Sequence, residues 1–353
     1  MRFVFAASMA ALGNGQQSRT THAELAGFVE NGQWAKASAL SEQLLRASKA
    51  GDARLQWLAA QVKFAYGDLA EGTELTEKAA TLDPKNADYQ FFLFEVYGSQ
   101  AQQASILRQL GLARKCKKAV DATIALDPKH AKALMGLMMY LYRAPSLFGG
   151  DKQRALAIPG EIGKFDPARG HLAQAELDVI EKQYGKARES YRKAVAADQN
   201  LYPARISLAR SLAYNEAPDL AQAEVHAHEA VRINGKRCVG WDTLAYALGR
   251  QGKVAELEQA IAHSEESSPG FYGGRGLLEA AKDWSKAEQL FRQYLKYPAQ
   301  GPGRPSLAVA HLSRGLALEK QGRRNDALAE LETAARLNSK HPAIQKELKR
   351  LRG

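Results

Sequence analysis

Cysteine is nearly absent, with only Cys116 and Cys238 in 353 residues, and two cysteines do not make a disulfide framework. Proline is sparse, at 12, so long helices can run uninterrupted over most of the chain. Clusters of β-branched and aromatic residues are few, whereas Ala, Leu, Lys, Glu, Gln and Arg fill long stretches; these are the residues that lose least on entering a helix. No apolar run approaches the roughly 20 residues needed to span a bilayer as a helix. What is present suffices to fold: 45% hydrophobic and 25% charged residues exclude a mostly disordered chain and predict helix throughout.

The formal net charge is +11, which attracts acidic partners through the long-range field. Most basic residues alternate with Glu or Asp along helical faces, as in Glu189 to Lys193, the pattern of a solvated surface. Two runs stand apart: Arg114-Lys115 with Lys117-Lys118, and the C-terminal Lys346, Lys349, Arg350 and Arg352. They keep a basic nucleic-acid-binding repeat as the least favoured of the alternatives. At the start, Arg2 precedes an apolar run from Phe3 to Leu12 that ends in Ala11-Leu12-Gly13. This resembles a short secretory signal, so residues 1–17 read as a signal peptide or an unstructured N-terminus, with export to the periplasm favoured over a cytoplasmic location.

Internal repetition decides the architecture. Leu82-Asp83-Pro84 recurs as Leu126-Asp127-Pro128, loosens to Phe165-Asp166-Pro167 and Ala197-Asp198-Gln199, and returns as Ile233-Asn234-Gly235 and Leu337-Asn338-Ser339. With Pro269 included, the intervals run from 32 to 44 residues, except a last one of 70 that spans two periods. Twelve residues before each mark stand Gly72, Cys116, Ala155, Ala187, Ala223, Leu257 and Ala327; five before it stand Ala79, Thr123, Ile162, Ala194, Ala230, Ser264 and Ala334. These mostly small residues, seven apart, share one helical face and let a partner helix approach closely. The helix preceding each supplies Trp241, Leu244, Ala245 and Leu248 in the most regular unit, with a turn at Gly252. A hairpin with an apolar face left over must stack on its neighbours.

These residues carry a resemblance to the tetratricopeptide-repeat (TPR) family, most closely over Trp241 to Pro269 and, in its second half, over Lys320 to Ser339. The resemblance covers the chain from about Thr20, weakly at first through Gly32, Trp34 and Ala37. It implies an all-α, right-handed α-solenoid of about seven to eight TPR-like helical hairpins over residues 18–340, with residues 341–353 as a C-terminal capping helix. The unit from Lys85 to Pro128 is longer than the others, which predicts longer helices there. In the next, Ala144-Pro145 to Gly149-Gly150-Asp151 replaces the tight turn, Asp151 is a good N-cap, and Pro159-Gly160 is expected to kink or end the helix near Ile158. That loop resembles one in exported bacterial TPR proteins, including TRAP-transporter T components.

The search for chemistry returns little. His226 and His228, two apart on a helix, diverge and read as surface histidines. Cys116 fills a small-residue position as a modest hydrophobe, and Cys238 opens a helix three repeats away, out of disulfide reach. Gly149-Gly150 and Gly273-Gly274-Arg275-Gly276 lack the strand that phosphate-binding loops require and read as hairpin turns. No nucleophile elbow, metal-ligand spacing or cofactor motif is present, so neither catalysis nor a cofactor is expected.

In TPR arrays the first helix of each hairpin lines a concave groove. The resemblance places Phe91, Glu95, Met135, Met139, Tyr142, Arg143, Arg210, Tyr214, Asp242, Tyr246 and Arg250 there. Aromatic, Met and Arg side chains anchor protein interfaces, so the expected function is a non-catalytic scaffold holding an extended or helical segment of a protein partner. Contact with the adjacent helix explains the same side chains equally well. An accessory solute-handling part of a transport system is the alternative. The family's clamp for a C-terminal carboxylate needs Lys and Asn where this chain has Met135, Met139, Asp242 and Tyr246, which argues against a chaperone-tail receptor.

Overall fold

The computed structural model describes residues 21–47, 51–214, 217–264, 268–299 and 301–353, and no β-strand occurs among them. The N-terminal apolar run lies outside the described residues. The chain forms two compact units, the first ending at Ala173 and the second beginning at Gln174.

The first unit holds α1 (residues 21–30), α2 (Trp34–Ala47), α3 (Ala53–Ala65), α4 (Leu69–Leu82), α5 (Ala87–Gln103), α6 (Ile106–Leu126), α7 (Ala131–Arg143), a single 3-10 turn at Ser146–Phe148 and α8 (Lys152–Gly163). From α2 to α8 each helix packs on the next. Helix α9 (Pro167–Ile180) leads into the second unit, with α10 (Tyr184–Ala197), α11 (Tyr202–Ala213), α12 (Leu220–Ile233), α13 (Cys238–Gln251), α14 (Val254–His263), α15 (Ser268–Glu279), α16 (Trp284–Lys296), α17 (Leu307–Lys320), α18 (Arg324–Leu337) and α19 (Pro342–Arg352). Here sequential helices again pair, and α11, α13, α15 and α17 also pack on one another in series. Helical hairpins stacked through their first helices are the TPR-type arrangement, and it is built from the small-residue columns. Every column residue is buried except Ser264, which caps α14 a turn early. The capping helix α19 buries Ile344, Leu348 and Leu351.

Local chemistry sets the helix ends. Asp52, Asp68, Asp151, Asp219 and Asp283 each accept a backbone N–H of the first turn, the N-cap bond that satisfies an orphan donor. Gly32, Gly252 and Gly322 end α1, α13 and α17 with φ near +67°, +75° and +79°, a conformation that costs glycine little. The long unit between Lys85 and Pro128 resolves into a 17-residue α5 and a 21-residue α6.

Three expectations need correction. Helix α8 does not end at Ile158: it continues through Pro159 to Gly163. Ala155, Ile158, Pro159 and Ile162 are all buried on one face, and that burial offsets the roughly 3 kcal/mol that an interior proline costs. Gly170 of α9 also lies so close that a Cβ there would stand 2.9 Å from the Pro159 carbonyl oxygen and 2.6 Å from Gly163 Cα. Gly273, Gly274 and Gly276 are not a turn but the middle of α15. His226 is half-buried rather than on the surface, its Nδ1 3.1 Å from Arg205 Nη1, and burial first, then Arg205, lowers its pKa. Cys116 and Cys238 are both buried free thiols.

Candidate binding cleft

The second unit contains an open cleft of about 1220 Å³ between α10, α11 and α15. Helix α10 presents Tyr184, Ala187, Arg188 and Tyr191 to it, the i, i+3, i+4, i+7 stripe of one helical face. Helix α11 adds Ser207, Arg210 and Ser211, followed by Tyr214, and α15 adds Tyr272 and Arg275. Ala187 doubles as a small-column residue, so the same face that packs the hairpin carries the cleft wall.

Two of the three cations are uncommitted. Arg275 Nε donates to Glu279 Oε1 at 2.6 Å, but no carboxylate among the described residues lies within 4.0 Å of Arg188 or Arg210. The Arg188 Nε–H is buried and finds no acceptor, an arrangement that costs free energy until one arrives. Two carboxylates of α9 are bonded to other side chains: Tyr191 donates to Glu176 at 3.0 Å, and Asp178 accepts from Ser190 and Gln174, both at 3.0 Å.

The tyrosines form a layered wall. Tyr214, 39% exposed, stacks on Tyr246 with ring centroids 4.1 Å apart and planes 14° apart. Arg210 and Arg275 each stand 6.0 Å from the Tyr214 ring, within cation–π range. Behind it, Tyr246 is 1% exposed and donates to Glu279 Oε2 at 2.6 Å, while Arg250 Nη1 donates to the Tyr246 hydroxyl at 2.9 Å. Asp242, 8% exposed, accepts from Ser268 Oγ at 2.7 Å and from Cys238 Sγ at 3.5 Å.

Of the groove residues expected from sequence, Arg210 and Tyr214 therefore line the cleft, whereas Asp242, Tyr246 and Arg250 form its backing and tie α13 to α15. The other six lie in the first unit. Phe91 is half-buried against Phe94 and His130, with centroids 5.9 and 5.2 Å away. Glu95 is half-buried and its pKa is pushed up from 4.5 to about 7 by burial, with Lys132 pulling the other way. Met135 and Met139 are half-buried, Tyr142 lies under Lys152 Nζ at 5.2 Å, and Arg143 is exposed. The sequence reading missed Tyr184, Arg188, Tyr191, Tyr272 and Arg275. The signal for the first three was the spacing around Ala187; Arg275 lay in the glycine run assigned to a turn.

A tyrosine-walled cleft with two free guanidiniums and several hydroxyls can grip carboxylates bidentately and stack on apolar groups. It contains no activated nucleophile, and among the described residues no group of three or more His, Cys, Asp or Glu side chains could hold a metal. No helix of the described residues is long and apolar enough to cross a membrane.

The paired helices and buried small-residue columns define the class: the chain folds as a TPR-like helical repeat. No protein-family model and no curated protein matches it. Among solved structures it is similar to a thermophilic TPR protein of Thermus thermophilus, at 18% identity and TM-score 0.46 over 55% of this chain and 98% of that one. A TPR protein from Parabacteroides merdae is 13% identical with TM-score 0.46, covering 74% of this chain and 99% of that one. Pseudomonas aeruginosa pilF is 19% identical with TM-score 0.40, covering 62% and 97%.

Proposed function

We propose that this protein is a non-catalytic interaction scaffold and that the second-unit cleft holds a short acidic segment of a protein partner. The observation that carries this reading is the pair Arg188 and Arg210, unpaired cations on a tyrosine wall, one with a buried N–H lacking an acceptor. A carboxylate meeting either guanidinium replaces water with a charge-assisted bond in a partly desolvated site. An aromatic or aliphatic neighbour on the same segment stacks against Tyr214 or Tyr272. The volume of about 1220 Å³ exceeds the roughly 300–1,000 Å³ of small-molecule pockets, which favours a polypeptide segment over a small solute.

Selection of a random peptide library on the immobilised protein tests this. Enrichment of Asp and Glu next to an aromatic or large aliphatic residue is expected. The double variant Arg188→Glu, Arg210→Glu should bind the selected peptides at least about tenfold more weakly, with affinity in the wild type falling as salt rises. Neutral or basic consensus sequences, or undiminished binding by the variant, would remove the cleft as the site.

A further inference from the structure

The first unit carries a second, differently built groove at the place where both departures from the repeat meet. One wall is the long helix α6, whose Leu110, Ala113, Arg114, Lys117, Lys118 and Asp121 share a single face. The other wall is Tyr140 of α7 with Leu147 and Phe148 of the 3-10 turn. The turn is pinned rather than loose: Tyr140 donates its hydroxyl hydrogen to the Phe148 carbonyl, and the Asp151 N–H bonds the Leu141 carbonyl at 2.9 Å. Between the walls lies about 670 Å³. From Leu110 to Asp121 the groove follows α6 for roughly 17 Å at 1.5 Å per residue, about three helical turns.

Its surface is unusual for this chain. Ile106, Leu107 and Leu147 are 77%, 86% and 84% exposed, the three most exposed large aliphatics among the described residues. The lining sets three cations against one carboxylate, and that carboxylate, Asp121, is bonded to Lys117 at 2.6 Å. Lys115 is held by Glu77 at 3.5 Å, whereas Arg108, Arg114 and Lys118 have no carboxylate within 4.0 Å among the described residues. No titratable carboxylate comes from α7 or the turn. The lining is thus apolar at Leu110, Leu147 and Phe148 and basic at Arg114, Lys117 and Lys118 further along α6.

We propose that this groove is a docking site for an acidic amphipathic helix of a protein partner, separate from the second-unit cleft. The apolar stripe of the helix packs on Leu110, Leu147 and Phe148, and its Asp or Glu residues meet Arg114 and Lys118. Charge complementarity sets the sign of the occupant, and a groove with walls on α6 and on the Tyr140, Leu147 and Phe148 side, about three helical turns long, matches a helix rather than the flat surface of a bilayer.

The test uses the full chain carrying Arg188→Glu and Arg210→Glu, so that the other cleft is silent. A fluorescein-labelled 18-residue peptide with Leu at i, i+3, i+4 and i+7 positions and Glu between them is titrated by anisotropy. Saturable binding is expected, with a loss of at least about tenfold on adding Arg114→Glu and Lys118→Glu, a similar loss with Leu147→Asp, and a similar loss for a scrambled peptide of the same composition. All these side chains are exposed or half-buried, and an unchanged thermal midpoint establishes that the variants fold. Absence of saturation, equal binding of the scrambled peptide, or indifference to the Arg114 and Lys118 changes would overturn the proposal. So would sedimentation with phosphatidylglycerol vesicles but not phosphatidylcholine vesicles, lost on Ile106→Ser and Leu107→Ser, because that outcome makes the patch a lipid-binding surface.

Discussion

The two units use the same device, a glycine on the first helix of a hairpin, and fill the space it leaves in opposite ways. In the first unit, a Cβ on Gly136 of α7 would meet side chains, the Phe94 ring at 2.6 Å and the Phe91 ring at 3.3 Å. In the second, a Cβ on Gly276 of α15 would meet main chain, the Tyr246 carbonyl oxygen at 2.5 Å and the Arg250 nitrogen at 2.7 Å, and one on Gly249 of α13 would stand 2.3 Å from the Gly273 carbonyl oxygen. Backbone contact seals α13 against α15 and shuts Asp242 and Tyr246 in behind the cleft. In the first unit the Phe91 and Phe94 rings fill the space beside Gly136, and Glu95 on the same helix as those rings is half-buried. The repeat plan therefore does not decide which side chains reach a partner; the filling between first helices does.

The two units differ most in what these glycines tolerate. Gly276→Ala forces backbone against backbone, so overpacking toward the upper end of about 1–3 kcal/mol outweighs the helix-propensity gain of about 1 kcal/mol, for a net loss of up to about 2 kcal/mol in denaturant unfolding. Gly136→Ala should cost under about 1 kcal/mol, because Phe94 can turn away. Equal costs would mean that the two contacts are the same in kind. Next in size is Glu95→Gln. The carboxyl of Glu95 titrates near 7 when folded rather than near 4.5, so the folded state binds the proton more tightly. Its favourable contribution is complete below about pH 4.5 and disappears as pH rises through 7. Glu95→Gln should flatten the stability profile over that window and be more stable than the wild type by about 1–2 kcal/mol at pH 8. Coincident profiles would show that Glu95 is fully solvated. Tyr246→Phe follows, removing the bonds to Glu279 and Arg250 for a loss of about 1 kcal/mol, with the Tyr214 stack left intact.

The fold was legible because its determinants are local and repeated. Alanines seven apart, the aspartate N-caps and the Leu-Asp-Pro marks each recur, so an error at one unit is corrected at the next. The misses fall where a single residue is overruled by packing. Pro159 obeys its buried face rather than its own ring. The glycines of α15 serve close approach, which a sequence shows no differently from a turn. One repeat mark went unseen because Tyr294 holds the position that a small residue fills elsewhere, seven after Ala287; it is buried, with its hydroxyl donated to the Pro305 carbonyl at 2.6 Å. The candidate site was half legible: Arg210 and Tyr214 followed from helix register, but whether Tyr246 is wall or surface depends on how near α15 comes, and that approach is made by Gly276 of α15 and Gly249 of α13.

A glycine with open space around it behaves differently from both. Gly111 lies in the exposed first half of α6, and a Cβ there meets nothing within 4 Å. Gly111→Ala therefore gains helix propensity without a clash, about 0.5–1 kcal/mol. Where that gain appears is informative. If the first turns of α6 open together with the rest of the unit, it raises the midpoint of global unfolding. If they open on their own, as a helix end with Ile106 and Leu107 packed on nothing should, the midpoint stays put and amide exchange slows about two- to fivefold over residues 106–113 alone. The second outcome is expected, and it would identify the apolar lip of the first-unit groove as the least stable helical turn of its hairpin, one that an acidic helix would order on docking. A global shift would instead make α6 rigid to its first residue, with its exposed leucines held in place before any partner arrives.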